Sequence, residues 1–485
     1  MSQRAATAFL LFCLAGSLTA KDRLNVLFIA IDDLRPTLAC YDDPVAQTPN
    51  IDRLAASGTT FLRAYCQEAV CNPSRASIIT GLRPDTTKVW GLSSHFRDAV
   101  PDVVTLPQLF KQAGYTTKAI GKIHHGSGKA SKDPRSWSKP QELEFVRDPT
   151  LRYALPDNLS GKGLKRASTE SAPVSDNHYT DGRVCARSIA VLNELTAHAP
   201  PFFLAVGFRK PHLPFCAPMK YWDLYDEEDI PPLTNPERPV GAPELATRSW
   251  LELEGYSDIP NNGPIPEATI RRLRHGYYAC VSYVDALVGR LLVELDRLKL
   301  RDKTVICLWG DHGFHLGEQG IWTKSNNYEL STRVPLILSA PDQQSPGSRS
   351  NALVELVDVY PTLAAACDLE QPPGLEGLSF LPLLHDPDRD WKKAAFSQFP
   401  RDRKKNRHKG QGHIMGRAVR TAGHRYVEWR DLKSGDILAR ELYDLRKDPL
   451  EMTNLAQRKD RSTIRARLSD RLARGWQAAL PPERD

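Results

Sequence analysis

Four apolar runs in this chain end in the same way. Residues 24–33 (LNVLFIAIDD), 115–125 (YTTKAIGKIHH), 201–212 (PFFLAVGFRKPH) and 303–313 (KTVICLWGDHG) each pass from core-type residues into Asp, Lys, Arg or His. Their length and β-branched content predict strands covered on both faces, as in a parallel sheet. Residues 333–341 (RVPLILSAP) are a further strand candidate. Over residues 282–300 the period changes, with Val284, Leu287, Val288, Leu291, Leu292, Leu295 and Leu298 marking one face of a helix. Strands alternating with helices predict a doubly wound α/β sheet. Ligands of such sheets bind beyond the carboxyl ends of the strands. Four strand ends carrying charged or imidazole side chains therefore predict one site.

The rest of the pattern sets the boundaries. Two irregular tracts, 126–181 and a proline-rich 229–266, predict long loops over the carboxyl edge of the sheet. After about residue 375 the apolar runs shorten. HRYVEWRDLKSGDILARELYDL reads as short alternating strands with turns, and 462–478 as a basic amphipathic helix. The expected division is a leader at 1–20, a catalytic α/β domain at 21–375 and a smaller α+β domain at 376–485. A chain of 485 residues is long enough for that arrangement.

Composition narrows the function classes. Hydrophobic content of 41% and charged content of 25% are ordinary globular values. The densest basic run, RDRKKNRHK at 401–409, reads as a solvated loop rather than a nucleic-acid patch. A net charge of +7 suits an anionic small molecule or a polyanionic glycan. The opening MSQRAATAFLLFCLAGSLTA has one basic residue, a short apolar stretch and small residues, the pattern of a signal peptide cut near Ala20. No later run is long enough to cross a bilayer. The expected protein is exported, to a periplasmic, secreted or lysosome-like compartment. One Asn-x-Ser sequon stands at Asn158.

Eight cysteines follow the leader: 40, 66, 71, 185, 216, 280, 307 and 367. They form no CxxC pair and no small-scaffold spacing, so neither a zinc ribbon nor a disulfide framework is indicated. Cys280 and Cys307 lie in apolar segments and read as core. Cys71 differs, because CNPSRASIITG at 71–81 places it at the start of a predicted helix. Pro73 suits the first helical turn, and a helix N-terminus attracts anions.

The stretch Cys71-Asn-Pro-Ser-Arg75, with Thr80-Gly81 after it, resembles the signature of the sulfatase family. The resemblance extends over Asp32-Asp33, TPNIDRLAASGTTF, GKIHH, KPH, GDHG and ELYDLRKDPLEMTNLA. DDLRPTLACY, FFLAVGFRKPHLPF and GPIPEATIRRLRHGYYACVSYVDALVGRLL are most similar to its iduronate-2-sulfatase-like branch. The resemblance implies an alkaline-phosphatase-like fold. It also implies that a separate formylglycine-generating enzyme oxidises Cys71 to formylglycine. The hydrated aldehyde then attacks sulfur, releases the alcohol and expels sulfate, which divides one hard hydrolysis into two steps.

The same resemblance implies the remaining roles. Asp32, Asp33, Asp311 and His312, with the modified Cys71, would hold Ca²⁺; carboxylates suit that ion, while a nitrogen ligand is less usual for it. Arg75, Lys122 and Lys324 would neutralise sulfate. His125 matches the acid–base position in GK-x-x-His, and His212 would face the sulfate or leaving oxygen. Lys210, His315 and Trp322 are weaker candidates, and His124 is the neighbour that competes with His125. The expected substrate is a sulfated glycan or small sulfate ester, with a uronate 2-O-sulfate foremost. A phosphodiesterase or phosphonate hydrolase on the same scaffold, and a glycan-binding protein with a decayed site, are the alternatives.

Overall fold

The computed structural model describes residues 23–126, 131–142, 148–160, 166–197, 200–247, 252–261, 263–402 and 413–481. The leader through Ala20 and most of the basic run after Arg401 lie outside them. The described residues build sixteen strands. Eight of them form the central sheet: β1 (Asn25–Ile31), β2 (Thr59–Tyr65), β3 (Thr116–Gly121), β5 (Phe202–Phe208), β7 (Thr304–Gly310), β10 (Arg333–Val334), β11 (Leu336–Ser339) and β12 (Ser348–Glu355). Two short pairs, β4 (Thr169–Ala172) with β6 (Phe215–Pro218) and β8 (His315–Leu316) with β9 (Trp322–Thr323), lie outside it. The last four strands, β13 (Ala395–Arg401), β14 (Ile414–Arg420), β15 (His424–Asp431) and β16 (Ile437–Asp444), make an antiparallel sheet of their own.

The centre of the large sheet runs β11-β7-β1-β5-β3. Strands β7, β1, β5 and β3 are parallel, as their unbroken apolar runs predict. The candidate at 333–341 is split by Pro335 into β10 and β11, and both run antiparallel to their neighbours, so the sheet is mixed. Alternation along β1 separates two cores. Leu27, Ile29 and Ile31 join one, under the helices Thr180–Thr196 and Glu267–Arg297, while Val26 and Phe28 join the other. The helix expected over 282–300 is longer, spanning the 31 residues Glu267–Arg297. Its first half buries Arg274, His275, Tyr277 and Tyr278, polar and aromatic residues that a purely apolar stripe does not reveal.

The C-terminal sheet carries the helix Ser462–Arg474, whose Leu468 packs with Val419, Tyr426 and Leu442. Leu383, Leu384 and Trp391 pack into the core of the large sheet, ahead of β13. The second sheet also supports the first domain's edge. Ile321 and Tyr328 share a core with Ile414, Trp429 and Tyr443, and Asn327 Nδ2 donates to the Gly416 carbonyl at 3.1 Å. All eight cysteines from Cys40 to Cys367 are free thiols.

Candidate active site

Register brings the four charged strand ends to one edge. Ile31 pairs with both Phe208 and Gly310, and Gly121 pairs with Gly207. Asp32, Lys122 and Asp311 follow directly, each held by a backbone bond across the sheet: Asp32 N to Phe208 O at 3.2 Å, Lys122 N to Gly207 O at 2.8 Å, Asp311 N to Ile31 O at 3.3 Å. Lys122 can sit so close only because residue 207 is glycine. A Cβ there would lie 2.2 Å from the Lys122 carbonyl. The helix Cys71–Thr80 starts at the same edge, with Cys71 as its first residue and Val70 as its extended cap.

Acceptors crowd the centre. One ligand-type atom each from Asp32, Cys71, Asp311 and His312 lies within 4.8 Å of the others, and so does one each from Asp32, Asp33, Cys71 and His212. Cys71 Sγ is 3.3 Å from His312 Nε2, which stands 3.4 Å from Asp33 Oδ1 and 3.7 Å from Asp311 Oδ1. The other ring nitrogen, Nδ1, is 2.9 Å from the Gly313 carbonyl, so it carries the proton and leaves Nε2 as a donor atom for a cation. Burial disfavours an imidazolium, yet Asp311, Cys71 and Asp33 outweigh it and carry His312 up to about 10. Burial likewise pushes Asp33 up to about 8, against the pull of Lys324 and His312. Carboxylates and one imidazole facing one another fit a divalent cation.

Fixed cations surround these acceptors. Arg75, 1% exposed, places Nε 2.8 Å from Asp311 Oδ2 and Nη2 3.1 Å from Asp32 Oδ1, over the Trp309 ring. Lys122 Nζ pairs with Asp32 and is 3.6 Å from Cys71 Sγ. Burial opposes ionisation of Asp32, but Lys122, His212 and Arg75 hold it well below the usual carboxylate range. Lys324 Nζ bonds both oxygens of Asp33, at 3.0 and 2.7 Å. His125 is half-buried with Nδ1 unpartnered, and burial followed by Lys122 lowers it to about 3. It is therefore a neutral base at ordinary pH. His212 is likewise lowered by burial and by Lys324.

The neighbouring candidates separate cleanly. His124 turns away, stacked on Phe96 at 6.4 Å and edge-on to Trp137 at 6.2 Å. Lys210 is buried and donates to the carbonyls of His212 and Pro214. His315 is enclosed by the Glu318 carbonyl and the Asn326 amide, and Trp322 packs against the core. One site residue was missed from sequence. Glu252 spans Lys324 at 3.1 Å and His212 Nε2 at 3.3 Å. It lies in the proline-rich irregular tract, where no periodicity marks it. Ser74 was matched only as a signature residue; its hydroxyl donates to the Asp311 carbonyl and ties the cysteine helix to the metal-type cluster.

Comparison with known proteins decides the family. The sulfatase family profile matches residues 24–369, and a profile described as N-sulphoglucosamine sulphohydrolase, C-terminal, matches 317–477. The chain belongs to the sulfatase family. This sulfatase is 34% identical to the iduronate 2-sulfatase of Homo sapiens over 90% of its own length and 91% of the relative's. Its fold is alkaline-phosphatase-like and is shared with BT4656, solved in complex with its substrate D-glucosamine-2-N,6-O-disulfate. That match has a TM-score of 0.74 and 23% identity, covering 93% of this chain and 97% of the other. The phosphonate monoester hydrolase of Silicibacter pomeroyi has the same fold, with a TM-score of 0.77 and 22% identity, covering 94% and 96%. Membership makes the chain a sulfuric ester hydrolase.

Proposed function

We propose that this sulfatase removes a sulfate ester from a sugar, with a uronate 2-O-sulfate favoured by its kinship with iduronate 2-sulfatase. The observation that carries the reading is the position of Cys71. Its Sγ is 3.3 Å from His312 and 3.6 Å from Lys122, at the convergence of four strand ends. Cys71 is the residue to be converted to formylglycine by a generating enzyme, and Asp32, Asp33, Asp311 and His312 would hold Ca²⁺ beside it. When bound, the ion supplies Lewis-acid charge for sulfate oxygens. Export follows from the leader, and no helix among the described residues is long and apolar enough to cross a membrane.

The chain's own residues divide the work. Arg75 fixes Asp32 and Asp311 in place through its two ion pairs. Lys122 puts a positive charge beside residue 71, where an oxyanion is stabilised most in a dry site. His125, kept neutral, takes and returns the proton that turnover moves. Lys324 and His212 form the opposite wall and present N–H and ring nitrogen to sulfate and the leaving oxygen. Glu252 holds Lys324 through an ion pair at 3.1 Å, while His212 is oriented by its Nδ1, 2.7 Å from the Leu213 carbonyl. The test is sulfate release from a panel of defined sulfated sugars, alongside a phosphate diester and a phosphonate monoester. Faster turnover of either phosphorus ester than of every sulfate would overturn the assignment.

A further inference from the structure

The most buried arginines in this molecule have carboxylate partners. Arg75 pairs with Asp32 and Asp311, Arg83 with Glu355, and Arg35 and Arg274 share Glu318. Two half-buried arginines beside the active site break that rule. Arg152 and Arg209 each have a buried Nε with no hydrogen-bond partner, and neither has an ion pair among the described residues.

Their surroundings explain why. Arg209 stands three residues before His212, at the end of β5, and its charge is one of those that depress His212. The loop that carries Arg152 is laid against the segment after β5. Phe215 N donates to the Ser168 carbonyl at 2.7 Å, and Tyr153 OH to the Ala167 carbonyl at 2.7 Å. Among the described residues, the carboxylates of these segments are engaged elsewhere. Asp181 accepts the backbone N–H groups of Arg209 and Lys210 at 2.8 and 2.7 Å. Glu170 accepts from Ala154, Leu155, Asn158 and Tyr179. Asp258 accepts both the amide and the hydroxyl of Ser168. Glu252 is paired with Lys324 at 3.1 Å. Repulsion from Arg209, and then burial, lowers the Arg152 pKa. Two guanidiniums that repel each other, each with a buried unpartnered Nε and no counterion among the described residues, are an arrangement that folding alone does not favour.

We propose that Arg152 and Arg209 form an anion subsite adjoining the reaction centre, which binds a second negative group of the substrate, a carboxylate or a further sulfate. This rests on the sulfatase reading. A planar guanidinium matches either anion in a bidentate fashion. Glu252, on the reaction-centre side, would accept from hydroxyls of the same sugar.

The experiment compares kcat/KM within two substrate pairs. One is a methyl uronide 2-O-sulfate and its carboxyl-reduced analogue. The other is glucosamine 2-N,6-O-disulfate and glucosamine 6-O-sulfate. The wild type should favour the acidic member of one pair by about 10–100-fold, the range for hydrogen bonds to charged groups. That pair identifies the anion. In Arg152→Met/Arg209→Met the ratio should collapse toward one; because it is a ratio, a general loss of activity cancels. Arg152→Gln, farther in sequence from His212, replaces the double variant if that fails to fold, and should lower the ratio in the same direction. A wild-type ratio near one in both pairs, or a ratio that survives the substitutions, overturns the subsite. Failure of the sulfatase reading is separable, since the wild type would then release no sulfate from 4-nitrophenyl sulfate. Calorimetric binding of the same four compounds to wild type and variant would then decide the subsite.

Discussion

The helix Cys71–Thr80 has a buried ionic cluster at each end, and the two differ in kind. At its C-terminal end, past Gly81, Arg83 makes a bidentate pair with Glu355 at 2.8 and 2.9 Å. Lys392 bonds Glu355 and Asp358, each at 2.6 Å. The remaining carboxylate oxygens accept backbone N–H groups of Phe396, Leu378 and Glu355 itself. Every acceptor there meets a donor. At the N-terminal end the carboxylates also meet donors, from Arg75, Lys122 and Lys324, yet His312 Nε2 still faces Cys71 Sγ, Asp33 and Asp311. Burial and charge are common to both clusters, so neither marks a reaction centre. The gathering of ligand-type atoms does: one each from Asp32, Cys71, Asp311 and His312 lies within 4.8 Å of the others even though Arg75, Lys122 and Lys324 already donate to the carboxylates, an arrangement that suits a divalent cation.

The sharpest break of this comparison is at Cys71. Cys71→Ala should reduce sulfate release to the uncatalysed background while thermal unfolding stays as in the parent. Peptide mass spectrometry of active protein should find an aldehyde at residue 71; full activity with an unmodified thiol would sink the proposed mechanism. Next in size is the exchange between clusters. Asp311→Asn should lose bound calcium and turnover together, as read by elemental analysis and sulfate release, and chelation of the parent should do the same until calcium is restored. Glu355→Gln should keep both per folded molecule yet lose about 3–5 kcal/mol of stability, since Arg83 and Lys392 stay buried without their partner. If Glu355→Gln emptied the metal site instead, the two ends would be one network.

His125→Ala should lower kcat by about 10²–10⁴-fold. His124→Ala should lose stability instead, because its ring only fills the space between Phe96 and Trp137. Equal kinetic losses at both would show that the motif has been read in the wrong register. The smallest effect is on acid stability. Burial opposes ionisation of Glu355, but Arg83 and Lys392 outweigh it and lower it from 4.5 to about 2. A depressed carboxyl contributes stability that is complete above the unfolded value of 4.5 and is lost as pH falls toward 2. That contribution is on the order of 3 kcal/mol. Urea midpoints measured down from about pH 5.5 should fall for the parent and fall less steeply for Glu355→Gln, in which Glu318 and Glu329, also lowered to about 2, still titrate.

Much of this was legible in the sequence because it is local. The four runs ending in charge named their strands, since a strand buried on both faces has few other compositions open to it. CNPSRASIITG marked the helix Cys71–Thr80 together with its stop. Gly81 has φ 70°, and a Cβ there would meet Leu375 at 2.6 Å. Asp32, Asp33, Cys71, Arg75, Lys122, His125, Asp311 and His312 all stand within a few residues of such landmarks. The antiparallel course of β11 left no mark, because strand direction depends on partners far along the chain. Nor did the first half of the helix Glu267–Arg297, whose buried polar groups find partners only after folding; Tyr277, for example, donates to the Asp33 carbonyl at 2.8 Å.

Sequence by itself therefore determined the α/β class and the residue types at each strand end, and its resemblance to the sulfatase signature singled out Cys71 as the nucleophile to test. Tertiary structure alone decided which charges are paired. Glu252 reached Lys324 from an irregular tract, and among the described residues Arg152 and Arg209 have no carboxylate partner, Asp181, Glu170 and Asp258 being held by backbone and side-chain donors. The reason is range. Side-chain periodicity reflects neighbours a few residues away, whereas a counterion is assigned by whichever distant loop folds against the site.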